Sequence, residues 1–217
     1  MDTIPVSSPA PLATPRWREA TKALVRAVAR LVVLPCYLSY RWRRLAMGDS
    51  AFLSSSHLLS LIPGVAGDYL RREFYRMTLL SCSSTCCISF GTIFATDRVT
   101  VGDYVYVGAY CTVGDVDIEA DVLIGSGVHL LSGKKQHGIA QLDLPIRLQP
   151  RRLERIRIGT DSWIGNAAVV MASVGAHCII GAGSVVVSPI PDWSIAAGNP
   201  ARVVRHRAAE STSPGVP

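Results

Sequence analysis

The stretch IRIGTDSWIGNAAVVMASVGAHCIIGAGSVVVSPIPDWSIAAGNPARVV, residues 156–204, returns an aliphatic residue every six positions. Ile158-Gly159, Ile164-Gly165 and Ile180-Gly181 open three such hexads, and Val170 and Val186 fall in the same phase. A period of six matches neither the 3.6-residue repeat of a helix nor the two-residue alternation of a lone strand. It matches a β-solenoid whose coils have three six-residue sides, each with one inward aliphatic and a small residue at the corner. Glycine suits such corners because they need positive φ or close backbone approach. Val170 to Val174 spans only four residues, so one corner is cut by two.

Upstream the same beat begins at about Ile88 and continues through Val101-Gly102, Val107-Gly108, Val113-Gly114, Ile118 and Ile124-Gly125. The step from Val113 to Ile118 is one residue short, which predicts a tightened corner near Asp115 and Asp117. The rhythm stops at Leu131 and resumes at Ile156. Between them, SGKKQHGIAQLDLPIRLQPRRLER (132–155) is too long and irregular for a turn, and loops of this kind in compact folds are usually functional. From Pro189 the chain leaves the solenoid, and 208–217 reads as a polar disordered tail.

Ahead of the hexads, residues 1–15 hold four prolines among serines and alanines and read as a second disordered tail. Residues 16–44 carry eight basic side chains against one acid, a local charge of +7, whereas the whole 217-residue chain carries +6. Ala20, Leu24, Ala27, Leu31 and Leu34 recur at helical spacing through this segment, and Pro35 is expected to kink or break the helix. The longest charge-free run, Leu31 to Tyr40, is far short of the roughly 20 residues of a membrane span. Two readings remain: a basic helix lying on an anionic membrane surface, or one packed on the solenoid or a neighbouring subunit. Residues 49–80 predict two short helices broken at Pro63-Gly64, with Asp68 capping the second. The helical module 16–87 would then cap the open end of a solenoid domain 88–207.

Charge confined to one terminal helix argues against nucleic-acid binding. The six cysteines lack the paired spacing of a zinc site, and Cys111 and Cys178 sit within hexads where small apolar residues are wanted, so they read as reduced structural thiols.

Together the hexads, SWIGNAAVV, IIGAGSVV and the closing IPDWSIAAGNPARVV resemble the left-handed β-helix acyltransferases, the hexapeptide-repeat class that includes maltose, galactoside and polysaccharide O-acetyltransferases. The resemblance covers about residues 88–207. It implies a mainly β fold, a left-handed parallel β-helix with an N-terminal helical region, assembled as a homotrimer with acetyl-CoA lying between neighbouring solenoids and no metal. By position it assigns Trp163 and Gly165 to the pantetheine arm, together with the turn Gly181, Ala182, Gly183 and Ser184. Gly198, Asn199, Pro200 and Arg202 match the segment near the nucleotide end, and Arg202 and Arg205 are the candidate phosphate contacts. The general base implied is a histidine of the excursion loop, here His137, with His129 the alternative. Asp115 and His129 are candidate acceptor contacts.

Such chemistry needs little else. A thioester is already activated, and an imidazole, with an ordinary pKa of about 6.5, is largely neutral at pH 7 and able to take the hydroxyl proton. The activity implied is acetyl transfer from acetyl-CoA to a hydroxyl of a sugar or polysaccharide precursor, in the cytoplasm or on the inner face of the membrane. Serine O-acetylation and a non-catalytic solenoid scaffold are the alternatives. Metal-dependent hydration of the carbonic anhydrase type is disfavoured, since no close histidine pair is present.

Overall fold

The computed structural model describes residues 16–207; both terminal tails expected from the sequence lie outside that range. Its main body is a parallel β-solenoid with three faces. The first face holds Ser81–Cys82, Thr100–Val101, Val116–Ile118 and Ile156–Ile158, extended by single bridges at Val174 and Ile190. On the second face lie Cys87–Ile88, Tyr106–Val107, Leu123–Ile124, Trp163–Ile164, Ile179–Ile180 and Ser194–Gly198, six parallel strands that mark about six turns. The third face carries Ile93–Phe94, Thr112–Val113, His129–Leu130, Val169–Val170 and Val185–Val186. In each two-residue strand one side chain points inward: Ile88, Val107, Ile124, Ile164 and Ile180 form one buried column. This is the hexad beat made physical.

Corner interiors take small residues. Cys111 and Cys178 are buried there, and Ser162 donates to the Gly175 carbonyl (2.9 Å) while accepting from the Cys178 N–H (3.0 Å). The short step after Val113 is the predicted tight corner, with Asp115 buried inside it.

Two departures from the sequence reading concern the ends. The first strand, Ser81–Cys82, starts inside the stretch read as helical cap, because its coil lacks the aliphatic-glycine step that marks the others. At the other end the chain does not leave the solenoid as a tail. Ala201–His206 turns back as an antiparallel strand on Ser194–Gly198 and closes the second face.

The N-terminal module is three helices: α1 (Arg16–Met47), α2 (Ser50–Ser60) and α3 (Gly64–Thr78). The break at Pro63-Gly64 is as expected, but Pro63 occupies the N-cap and Asp68 sits inside α3, paired with Arg71. α1 runs through Pro35 without ending, held by Val33 and Tyr40 buried on either side of it, while Pro35 itself faces outward. By length and composition alone, Ala20–Met47 is apolar enough to cross a membrane, and little of it is buried.

The cap does what an open solenoid end requires. Tyr40, Phe52, Phe74 and Tyr75 extend the core, with Tyr75 4.3 Å from Phe94 of the first coil. Ser56 accepts the otherwise unpaired Phe94 N–H (2.9 Å). Arg71, fully buried, donates to the carbonyls of Ile88 (2.9 Å), Leu59 (3.1 Å) and Ile62 (2.6 Å). Edge groups that would face a dry interface unsatisfied are thereby paired.

Candidate active site

The corner between the second and third faces stacks the turns assigned to the coenzyme. The Gly183 N–H donates to the Asn166 carbonyl (2.8 Å), and the Ala167 N–H to the Ser126 carbonyl (2.9 Å) one coil below. Asn166 also accepts the Ser126 N–H through Oδ1 (3.0 Å). Gly183 has φ +67°, and a Cβ on Gly165 would lie 2.5 Å from the Ala182 nitrogen, so both glycines are required by the backbone. Ser184 accepts the Gly198 N–H (3.2 Å), tying this column to the terminal hairpin. Gly165, Gly181 to Ser184 and Gly198 are thus brought together.

Trp163 opens its strand on the second face just before that corner, half exposed and in register with Ile179, Ile195 and Arg205. Three strand spacings, about 14 Å, separate Trp163 from Arg205 along this outward row. Arg202 pairs with Ala197 in the same hairpin.

The sequence reading missed the corner between the first and second faces. Asp121, Asp161, Ser162, Trp163 and Arg207 line a cavity of about 200 Å³ there. Arg207 donates to Asp161 Oδ2 (3.1 Å) and to the His177 carbonyl (3.1 Å), and His177, stacked 4.0 Å from Trp193, meets Asp161 Oδ2 through Nδ1 (3.0 Å). The hydrogen bond with His177, then Arg207, holds the Asp161 carboxyl below its usual pKa. No spacing rule in the hexads marks Arg207, which closes the hairpin. His206 lies exposed in the hairpin strand rather than in a tail.

His137 stands on the excursion loop, exposed, with no side-chain hydrogen bond recorded among the described residues. The loop leaves the third face after Leu130 and re-enters the first face at Ile156, so it occupies the corner between those two faces. Its root is pinned to the tight corner. The Asp115 N–H donates to Ser132 Oγ (2.8 Å), and Arg155 bridges Asp115 and Asp117. The Asp115 carboxylate faces Arg98 (3.0 Å), with Oδ1 buried and lacking a hydrogen bond. Within the loop, the buried Gln149 follows a single 3-10 turn, Ile146–Leu148, and donates to the carbonyls of Gln141 (2.7 Å) and Leu144 (2.9 Å), which fixes the fold of this segment. Lys134 reaches the Val187 carbonyl (3.3 Å) of a later coil. His129 points outward from the third face beside Thr112 and Val169.

The candidate base and the coenzyme column therefore sit at two different corners of one chain, with the whole third face between them. The loop also projects apolar side chains into solvent, Leu142 being 98% exposed and Ile139 75%. Among the described residues no cluster of three or more His, Cys, Asp or Glu could hold a metal ion.

No family model matches the chain. Among curated proteins it is 28% identical over 207 residues to a Mycobacterium tuberculosis protein named for acetyltransferase activity, covering 90% of this chain and 63% of the relative. It is 30% identical over 122 residues to Escherichia coli WbbJ, named for lipopolysaccharide-biosynthesis O-acetyl transfer, covering 53% and 61%. The chain thus spans about three fifths of the length of these relatives. In fold it is similar to a maltose O-acetyltransferase of Clostridium difficile (TM-score 0.62, 20% identity, 73% of this chain and 87% of that one). It is also similar to a hexapeptide-repeat acetyltransferase of Vibrio cholerae solved with acetyl coenzyme A (TM-score 0.60, 22% identity, 72% and 87%). The chain is thus similar in sequence to proteins named as acetyltransferases and shares the solenoid fold of hexapeptide-repeat acetyltransferases.

Proposed function

We propose that this protein is an acetyl-CoA-dependent O-acetyltransferase acting on a hydroxyl of a sugar or polysaccharide precursor. The observation that carries the reading is the pairing of an exposed, uncommitted imidazole on a loop fixed at its root with a glycine-turn column beside an outward tryptophan. The names of the Escherichia coli and Clostridium difficile proteins support a saccharide acceptor. The donor is supported by the Vibrio cholerae complex.

In this mechanism the His137 imidazole removes the acceptor hydroxyl proton as the oxygen attacks the thioester carbonyl. The tetrahedral oxyanion is held by backbone N–H groups, and its collapse expels the coenzyme thiolate, which takes the proton from the imidazolium. The coenzyme lies along the outward row from Trp163 to Arg205, beside Gly165 and the Gly181 to Ser184 turn, with Asn199, Pro200 and Arg202 at the nucleotide end. His129 and Asp115 lie nearest the loop and are the proposed acceptor contacts.

Because base and column occupy different corners of one chain, a complete site needs the loop of one subunit against the column of the next, and we propose a homotrimer. Six free thiols and the proposed donor are consistent with a cytoplasmic position, and the basic segment 16–44 supports peripheral contact with an anionic membrane. The test is release of coenzyme A thiol from acetyl-CoA in the presence of a panel of saccharides, with serine as control. Turnover confined to saccharides supports the assignment; turnover with serine, or none with any acceptor despite coenzyme binding, overturns it.

A further inference from the structure

The proposed membrane contact was read from the charge of residues 16–44 and the aromatic and aliphatic groups beside it, but three of its arginines are tied to other parts of the protein. Arg30 is bound by the fully buried Glu73 (2.9 Å), Arg44 by Asp97 (2.5 Å), and Arg43 donates to Ser55 (2.8 Å). What α1 presents outward is different. Leu24, Leu31, Leu38 and Leu45 recur every seven residues, all exposed, with Trp17 and Trp42 exposed toward the two ends of the helix. At about 100° per residue these six side chains fall within an arc of about 80°. Val25, Val32 and Leu34, also exposed, widen the apolar surface to about half the cylinder. Between Ala20 and Ser39 no charged residue falls in that half, which lies opposite the buried Ala29, Val33 and Tyr40. On α3, Val65 and Tyr69 continue the surface across an apolar groove of about 730 Å³.

Resting on the membrane reading, we infer that the α1–α3 surface inserts in the plane of a lipid leaflet, with α1 lying at the boundary between headgroups and acyl chains. Apolar contact, rather than the attraction of its arginines, holds it there. A second copy of α1 is the competing occupant, since leucine at every seventh position is also a coiled-coil pattern. Such a seam would cover only the narrow arc. It would leave Val25, Val32 and Leu34 at its margins, have Arg41 as its one flanking charge between Leu24 and Leu45, and place Pro35 and Trp42 in its core. A leaflet covers the full half-cylinder and the α3 groove at once. Nor does α1 span: standing it upright would carry the Glu73, Arg72 and Arg76 cluster packed behind it into hydrocarbon.

The experiment is flotation of the full chain with phosphatidylcholine vesicles, with and without phosphatidylglycerol, in low and high salt. Insertion predicts flotation with both vesicle types and its retention in high salt. The double variant Leu31→Asp, Leu38→Asp should partition at least roughly tenfold less while still binding acetyl-CoA. Flotation only with phosphatidylglycerol and lost in salt overturns insertion but leaves the membrane contact standing. No flotation under any condition removes both. If lipid-free protein sediments as an assembly larger than a trimer that the double variant dissociates, a second copy covers the face and the inference is wrong.

Discussion

His137 is the residue on which the proposed chemistry turns, and its isolation from other side chains makes the consequence of removing it simple. His137→Ala should lower kcat by about 10²- to 10⁴-fold. Calorimetric titration should find acetyl-CoA affinity nearly unchanged, because the imidazole acts on the acceptor hydroxyl while the turns and the hairpin are the proposed coenzyme contacts. If His129→Ala is the inactive variant instead, the base is on the third face. Asp161 allows a prediction of a different kind. Its carboxyl is held below the usual range by His177 and Arg207, and Glu119 is likewise lowered by Arg157. A lowered folded pKa contributes stability that is fully present above the unfolded value of about 4 and is lost as pH falls through the folded one. Melting temperature should therefore fall on acidification below about pH 4, and Asp161→Asn with Glu119→Gln should flatten that limb.

At the scale of elements, the helical cap and the solenoid are joined through Arg71. Replacing it with Met removes the donor to three carbonyls in a dry interface and strands Asp68, at a cost of about 3–5 kcal/mol. Thermal melting should drop by roughly 10 °C, and a variant that melts like the parent would show that the cap is not anchored there. The elements differ in how legible they were. The coils could be read because every turn must bury its own aliphatic, so Ile164 or Ile180 announces itself without any partner. The tight corner at Asp115 showed as a missing residue in that count. The first strand was missed because Ser81–Cys82 carries no aliphatic-glycine step, although Ile88 of the same coil was read. The helix does not break at Pro35, where the sequence allowed a kink or a break, because burial of Val33 and Tyr40, a tertiary effect, outweighs a local breaker. The Gln149 clamp and the Arg207 corner leave no periodic trace, since each depends on groups that meet only after the coils have stacked.

For the whole molecule, the separation of base and column predicts that subunits share sites. Mixing His137→Ala chains with Gly183→Val chains, each inactive alone, should restore part of the activity when they are refolded together. Gly183 has φ +67°, where a β-branched residue is strained, so the second variant distorts the column while leaving the loop untouched. Activity regained on mixing, followed by thiol release and dependent on the ratio of the two chains, is the expected outcome. Absence of any rescue in verified mixed oligomers would mean that each chain completes its own site.

The register along the second face carries a last consequence. Trp163, Ile179 and Ile195 are spaced by whole coils, and Arg205 follows across the hairpin, so the interval between tryptophan and arginine can change only in steps of one strand, about 4.8 Å. The protein is a ruler graduated in coils. Duplicating residues 179–194 would add one graduation between the single Trp163 and Arg205, and its new coil would find faces above and below already templated for it. Such a chain should fold with both ends intact and yet measure a longer molecule, so under the proposed assignment it would discriminate against its own donor by length alone.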